Sequence, residues 1–214
     1  MRVIAVPVKA LARAKMRLAA ILAPAERAEI TLAMLDDVLA AALPQPGWET
    51  WVVSPDDRVL VRARAAGARA VVDVGRSLRD AVRQVEAMSP AHELAVVLAD
   101  LPLVDGASLS RPLATEADVV ASPASSDGGT NVLVRRPARV IPARFGRNSL
   151  AKHRAAADRA GVRFETVVSR ELGFDLDRPA DIEALVATDS PSQTRRVCIE
   201  LGLGERLRER VGSL

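Results

Sequence analysis

The sequence predicts an α/β protein whose sheet is mainly parallel and covered by helices on both faces. Two observations predict it: seven short segments rich in β-branched residues and bounded by turn residues, and amphipathic helical patterns set between several of them. In chain order the strands fall at 2–6 (RVIAV), 49–53 (ETWVV), 69–72 (RAVV), 94–99 (LAVVLA), 118–122 (DVVAS), 131–135 (NVLVR) and 163–168 (RFETVV). The clearest helix covers 24–43. Pro24 suits a first helical turn, and Ile30, Met34, Leu35, Val38, Leu39 and Leu43 recur on one side. Segments 56–66, 77–88, 147–160 and 179–187 carry the other helical patterns. Strands separated by helices favour parallel pairing, because each crossover returns the chain to the same end of the sheet.

With 214 residues, 49 % of them hydrophobic, the chain holds enough apolar mass for one large core. A single domain is expected over 1–187. After it come a linker-like stretch, TDSPSQT (188–194), and an Arg-rich tail to 214, which reads as one amphipathic helix docked on the body or on a second copy, or as a frayed end. A homodimer is compatible with such a tail. The pI of 9.7 raises the question of nucleic acid. Aromatic residues are only 2 % of the chain and Tyr is absent, so no stacking platform and no nucleic-acid partner are expected. Cys198 is alone, which excludes a disulfide framework, a cysteine-rich zinc site and a CxxC pair, and points to a reducing, cytoplasmic setting. No apolar run approaches the ~18 residues of a membrane span, and the first 15 residues lack a signal-peptide pattern, so a soluble protein without a membrane partner is expected.

The stretch VVLADLPLVD (96–105) carries the first chemical signal, because Asp100 ends an apolar strand. A buried carboxylate needs a partner, and ligands of parallel α/β sheets bind beyond the carboxyl ends of strands. The segment FDLDRPADIEAL (174–185) offers Asp175 and Asp177, whose i, i+2 spacing puts both on one side of an extended chain. Three carboxylates converging with Asp100 would repel each other unless a divalent cation held them, and oxygen-only ligands select magnesium or manganese. Capping of the helix that begins near Pro179 accounts for Asp177 and Asp181 but leaves Asp100 unexplained. The loop PVKALARAKMRL follows the first strand and brings Lys9, Arg13, Lys15 and Arg17 to the same end of the sheet. Basic loop residues are ordinarily just solvated; their position favours anion contact by Lys9, Lys15 and Arg17. Neither a GxxxxGK[ST] loop nor a GxGxxG fingerprint occurs, which counts against P-loop kinases and Rossmann dehydrogenases.

Six motifs in order, PVKxLxxAKxRLA (7–19), VSPD (53–56), ADLPL (99–103), GGTN (128–131), RFGxxS (144–149) and DLDxPxD (175–181), resemble the guanylyltransferases of small phospho-carboxylic acids: 2-phospho-L-lactate guanylyltransferase and its relatives for phosphoenolpyruvate and 3-phospho-D-glycerate. The resemblance spans residues 3 to about 187 and implies a mixed, mostly parallel, Rossmann-like three-layer sheet of the nucleotide-diphospho-sugar transferase type. It implies GTP as substrate, Asp100, Asp175 and Asp177 as ligands of Mg2+ or Mn2+, and Thr130, Gly146 and Ser149 as contacts to the phospho-acid. The product would be a guanosine diphospho-linked acid for a second transferase in the synthesis of a deazaflavin hydride-carrier coenzyme. Gly128 and Gly129 would let backbone N–H groups approach an anion, and FGRNS would end in a helix N-terminus that favours negative charge.

The chain departs from the family pattern at three places. DGGTN stands where the family has GTGTN, bringing Asp127 near an acidic substrate; an Asp-Arg pair falls on Ala124 and Ser125; a Leu-Asn pair reads Leu78 and Arg79. Arg144, Lys152 and His153 lie close enough in sequence to pair with the substrate carboxylate. Molybdenum-cofactor and sugar-phosphate nucleotidyltransferases share the fold, but their glycine-rich GxGxR first loop is missing here. A non-catalytic nucleotide-binding domain is the reading from another class, and retention of all three carboxylates argues against it. A phosphatase would need a DxDxT-like motif on the first strand, and there is none.

Overall fold

The computed structural model describes residues 1–75, 77–89 and 91–211. Seven strands, β1 (Arg2–Pro7), β2 (Trp48–Ser54), β3 (Arg69–Val72), β4 (Glu93–Val97), β5 (Val119–Pro123), β6 (Thr130–Arg135) and β7 (Phe164–Thr166), form one sheet in the order β3-β2-β1-β4-β6-β5-β7. All neighbours are parallel except β6, which runs antiparallel to both β4 and β5. This is the mixed, mostly parallel sheet that the motifs imply. The central strands are buried on both faces, so β1, β2, β4 and β6 read as continuous apolar runs rather than alternating ones.

The expected helices appear as α1 (Pro24–Ala42), α2 (Asp57–Ala66), α3 (Leu78–Met88), α5 (Ser149–Ala160) and α7 (Pro179–Val186). Two more, α4 (Gly106–Ala114) and the single turn α6 (Arg170–Gly173), carry no clear helical signal in the sequence. The sequence of α4, GASLSRPLA, has low intrinsic helix propensity and contains Pro112. A reciprocal cap starts it: Ser108 N–H donates to Asp105 Oδ1 at 2.7 Å, and Asp105 N–H donates to Ser108 Oγ at 3.1 Å. Buried Leu109 and Leu113 then hold it against the sheet.

The C-terminal segment is two helices rather than one, α8 (Gln193–Glu200) and α9 (Leu203–Val211), divided at Gly202, whose φ of +63° suits a residue without Cβ. Val197, Cys198, Leu203 and Leu207 form a third core with Ile30 and Met34 of α1, Ile182 and Leu185 of α7, and Leu18, Leu22 and Leu176. The last three belong to the segments that carry Lys15, Arg17, Asp175 and Asp177. Among the described residues no helix is long and apolar enough to cross a membrane.

Asp37 of α1 fastens α8 to this core. It accepts from the N–H groups of Gln193 at 2.6 Å and Thr194 at 3.0 Å, and from the Thr194 hydroxyl, so a buried carboxylate caps the helix. Replacing Asp37 with Ala is expected to lower unfolding free energy by about 2–4 kcal/mol, since it leaves buried donors unpaired. Urea denaturation measures the loss, and limited proteolysis should then cut first near residues 188–192.

Candidate active site

The carboxyl ends of the parallel strands β1, β2, β3 and β4 open onto a cleft of about 1180 Å³. Pro7 ends β1 and Val8 follows it, Pro55 follows β2, Asp73 follows β3, and Leu98 to Asp100 follow β4; each lies on the cleft wall. Lys9, Lys15, Arg17 and Asp177 line it too. The end of the sheet singled out from the sequence is therefore the end that is open.

Lys15 sits at the centre. Two single 3₁₀ turns, Leu11–Arg13 and Met16–Leu18, flank it, and its own backbone is left-handed at φ 49° and ψ 42°. That conformation costs a residue with a Cβ about 1–2 kcal/mol. It turns the ammonium inward, where Nζ donates to Asp100 Oδ2 at 2.9 Å and to Asp177 Oδ1 at 2.8 Å, leaving 7 % of the side chain exposed. Arg17 donates to the other Asp177 oxygen at 3.1 Å. Burial alone would lower the Lys15 pKa, but the two carboxylates outweigh it and hold the ammonium above its usual value. Burial likewise pushes Asp177 up, and Lys15, Arg17 and Lys9 together bring it below the ordinary carboxylate value.

The Asp175–Asp177 segment reaches Asp100 through its backbone. Leu176 N–H donates to the Asp100 carbonyl at 3.1 Å, and the Leu176 side chain is fully buried in the third core. The two flanking carboxylates are thereby held beside Asp100. Among the described residues no cation pairs directly with Asp175; the Ser126 hydroxyl stands 3.4 Å away. Burial, and then the charges of Asp100 and Asp177, push its carboxyl up to about 6. Asp100 Oδ1 is buried with no hydrogen-bond partner among the described residues. Those residues contain no ready-made group of three metal-binding side chains, and Lys15 stands between two of the carboxylates. The donor set nevertheless fits a hard divalent cation: it is oxygen-only and anionic, with one unsatisfied buried oxygen and one carboxyl short of positive charge.

Thr130, Gly146 and Ser149 do not line the cleft. They gather beyond the loop 124–129, which carries Ser126 past Asp175 and then enters β6. Ser149, the first residue of α5, donates its hydroxyl to Thr130 Oγ1 at 2.9 Å, and both residues are buried. Gly146, at φ +105°, makes the turn that brings Ser149 there, and its carbonyl accepts the Ser149 N–H at 3.0 Å. Two of the backbone donors expected to meet an anion are already engaged. Gly129 N–H donates to Asp127 Oδ1 at 2.8 Å, and Leu150 N–H, in the first turn of α5, donates to the Gly128 carbonyl at 3.2 Å. The Thr130 and Ser149 hydroxyls are the buried side-chain donors at this turn.

A profile of the guanylyl transferase CofC-like family matches residues 1–209. The chain belongs to this family. It is therefore a nucleotidyltransferase, and CofC-like relatives align over most of its length. It is 38 % identical over 186 residues to a phosphoenolpyruvate guanylyltransferase of Sphaerobacter thermophilus, covering 84 % of this chain and 90 % of the relative. A 2-phospho-L-lactate guanylyltransferase of Haloarcula marismortui is also 38 % identical, over 190 residues, with 87 % and 86 % covered. A 3-phospho-D-glycerate guanylyltransferase of Phenylobacterium zucineum is 33 % identical over 201 residues, with 88 % and 91 % covered. A solved structure described as a nucleotide-diphospho-sugar transferase from Desulfovibrio desulfuricans G20 superposes with a TM-score of 0.77 over 98 % of both chains at 16 % identity, which places the fold.

Other residues of the CofC-like cleft were outside the sequence-based choice. Arg13 lines the wall although only its loop neighbours were singled out, and Asp73, Gly75, Ser77 and Leu78 form the wall after β3. The signal was available: the same strand-end rule that picked out Asp100 applies to the turn residues directly after β3. Arg79, one residue past Leu78, is not on the wall.

His153, on α5, is fully buried beside Thr130, and its ring packs edge-on against Phe145 at 5.7 Å. Burial, together with the charges of Arg135, Arg144 and Lys152, pulls its pKa from 6.5 down to about 4. Above pH 6.5 the ring is neutral in both folded and unfolded chains. As pH falls from 6.5 toward 4 the unfolded chain takes a proton that the folded chain refuses, so stability drops across that window. Urea denaturation of wild type and His153→Gln at pH 7, 5.5 and 4.5 should show a steeper loss in the wild type; parallel curves would remove His153 as the cause.

Proposed function

We propose that this CofC-like protein condenses GTP with a small phospho-carboxylic acid, releasing pyrophosphate and a guanosine diphospho-linked acid, in the synthesis of a deazaflavin hydride-carrier coenzyme. The observation that carries the proposal is one arrangement: Lys15 between Asp100 and Asp177 at the open end of the sheet, with Asp175 alongside. Names borne by relatives supply the acceptors to test, namely phosphoenolpyruvate, 3-phospho-D-glycerate and 2-phospho-L-lactate. The activated product calls for a second transferase to consume it.

In this reading the cleft holds the triphosphate and the Thr130–Ser149 pair contacts the acid, on either side of Asp175. Lys9 and Arg17, both exposed on the cleft wall, neutralise triphosphate oxygens, and Arg13 adds to that field. Lys15 is committed to the carboxylates, so its part is to fix Asp100 and Asp177 in place and to hold Asp177 ionised. Asp100, Asp175 and Asp177 would hold Mg2+ or Mn2+, which when bound supplies charge neutralisation at phosphate oxygens. The phosphate oxygen of the acid attacks the α-phosphorus, the new O–P bond forms as the bond to the pyrophosphate oxygen breaks, and no protein nucleophile is required. Catalysis then rests on positioning and charge stabilisation.

Pyrophosphate release with GTP and Mg2+, each of the three acids being offered separately, tests this directly. One acid is expected to support turnover, and Asp100→Asn to reduce it by at least ~100-fold. Folded protein that releases no pyrophosphate with any of them would refute the proposal. Asp127 places a carboxylate beside an anionic acceptor; Asp127→Asn keeps the oxygen that accepts from Gly129 and removes the charge. The KM for the acid should fall about threefold, as for loss of one exposed like charge, with the KM for GTP unchanged.

A further inference from the structure

Arg144 N–H points at the His153 ring and donates to Nε2 at 2.9 Å. A backbone N–H can only donate, so Nε2 carries the lone pair. The ring is neutral at ordinary pH because burial and nearby cations depress its pKa. Its single proton is therefore on Nδ1, which faces Thr130 Oγ1 at 3.2 Å and must donate to it.

This tautomer decides the protons of the hydroxyl pair. Thr130 and Ser149 have two hydroxyl protons, and the contact between them at 2.9 Å uses one. Had Nδ1 been the acceptor, Thr130 would donate to the ring, Ser149 would donate to Thr130, and no proton would remain. With Nδ1–H as donor, one hydroxyl proton is left without an acceptor among the described residues, in a pair that is at most 2 % exposed. A buried donor left over in this way is costly unless a ligand oxygen meets it. Two nearby backbone donors, Gly129 N–H and Leu150 N–H, are already taken and cannot meet that oxygen in its place.

We propose that His153 is a positioning residue for the acceptor: held as the Nδ1–H tautomer by Arg144, it donates to Thr130 and so leaves one hydroxyl proton of the Thr130–Ser149 pair for an anionic oxygen of the phospho-acid. The inference rests on the reading that this pair contacts the acid. His153 touches no substrate in it and acts only through Thr130.

Two measurements on the full-length protein test it. In a long-range nitrogen–proton NMR spectrum at pH 7, the His153 ring should show a protonated Nδ1 and a bare Nε2; the opposite tautomer overturns the inference. Steady-state kinetics with the supporting acid should show His153→Phe raising the KM for the acid by about tenfold, the scale of a hydrogen bond to a charged group, with kcat and the KM for GTP within about twofold. His153→Asn, whose amide N–H2 takes the place of Nδ1–H, should recover most of that loss, which a packing role alone would not give. Unchanged KM in His153→Phe, or equal losses in both variants, overturns the inference while leaving the guanylyltransferase reading intact. Wild-type protein that neither turns over nor binds any of the three acids overturns both.

Discussion

The site depends on one backbone contact, the hydrogen bond from Leu176 N–H to the carbonyl of Asp100, locked by the full burial of the Leu176 side chain. Burying a leucine contributes about 2–3 kcal/mol, and here it fixes what no carboxylate would choose alone, which is proximity to other carboxylates. Asp175 and Asp177 flank Leu176, so seating the leucine forces them beside Asp100. Lys15 then answers part of the repulsion, and the rest shows in Asp175, whose carboxyl is pushed up to about 6. The electrostatic tension is held by apolar packing.

The same packing explains why the C-terminal helices belong to the site although none of their residues lines the cleft. Leu18 and Leu22 of the basic loop, Leu176, and Val197, Leu203 and Leu207 share one core, so α8 and α9 back both segments that converge on the carboxylates. Arg206 of α9 ties the same corner, donating to Glu26 at 2.6 Å and to the Ile21 carbonyl at 2.9 Å. A loop with a left-handed lysine at its centre needs such bracing, since its backbone is strained and its turns are single.

In the proposed reading, two kinds of donor divide the work of anion handling. On the cleft side the positive groups are long and mostly exposed, suited to a flexible, highly charged triphosphate. Beyond Asp175 the Thr130 and Ser149 hydroxyls are short, buried and neutral, with His153 against Thr130. A small acid with several oxygens gains selectivity from such fixed donors, because a misplaced oxygen leaves a buried hydroxyl unpaired.

Much of this was legible in the sequence. Apolar strand runs alternating with amphipathic segments determined the sheet and five helices, because burial on both faces and the 3.6-residue period leave a direct mark on residue order. Strand-end placement brought Lys9, Lys15, Arg17 and Asp100 to one end of the sheet, and the i, i+2 spacing put Asp175 and Asp177 on one side of the chain. Tertiary structure alone decided the rest. The α4 helix forms against its own propensity through a cap and two buried leucines, and the tail breaks at Gly202 where packing requires a turn. Only the folded chain shows that Lys15 stands between two carboxylates, that Asp127 takes the Gly129 N–H, and that Arg144 N–H donates to His153. These are contacts between groups distant in sequence or dependent on a turn's exact dihedrals, and residue order records which groups a chain carries, not which lone pair each proton will find.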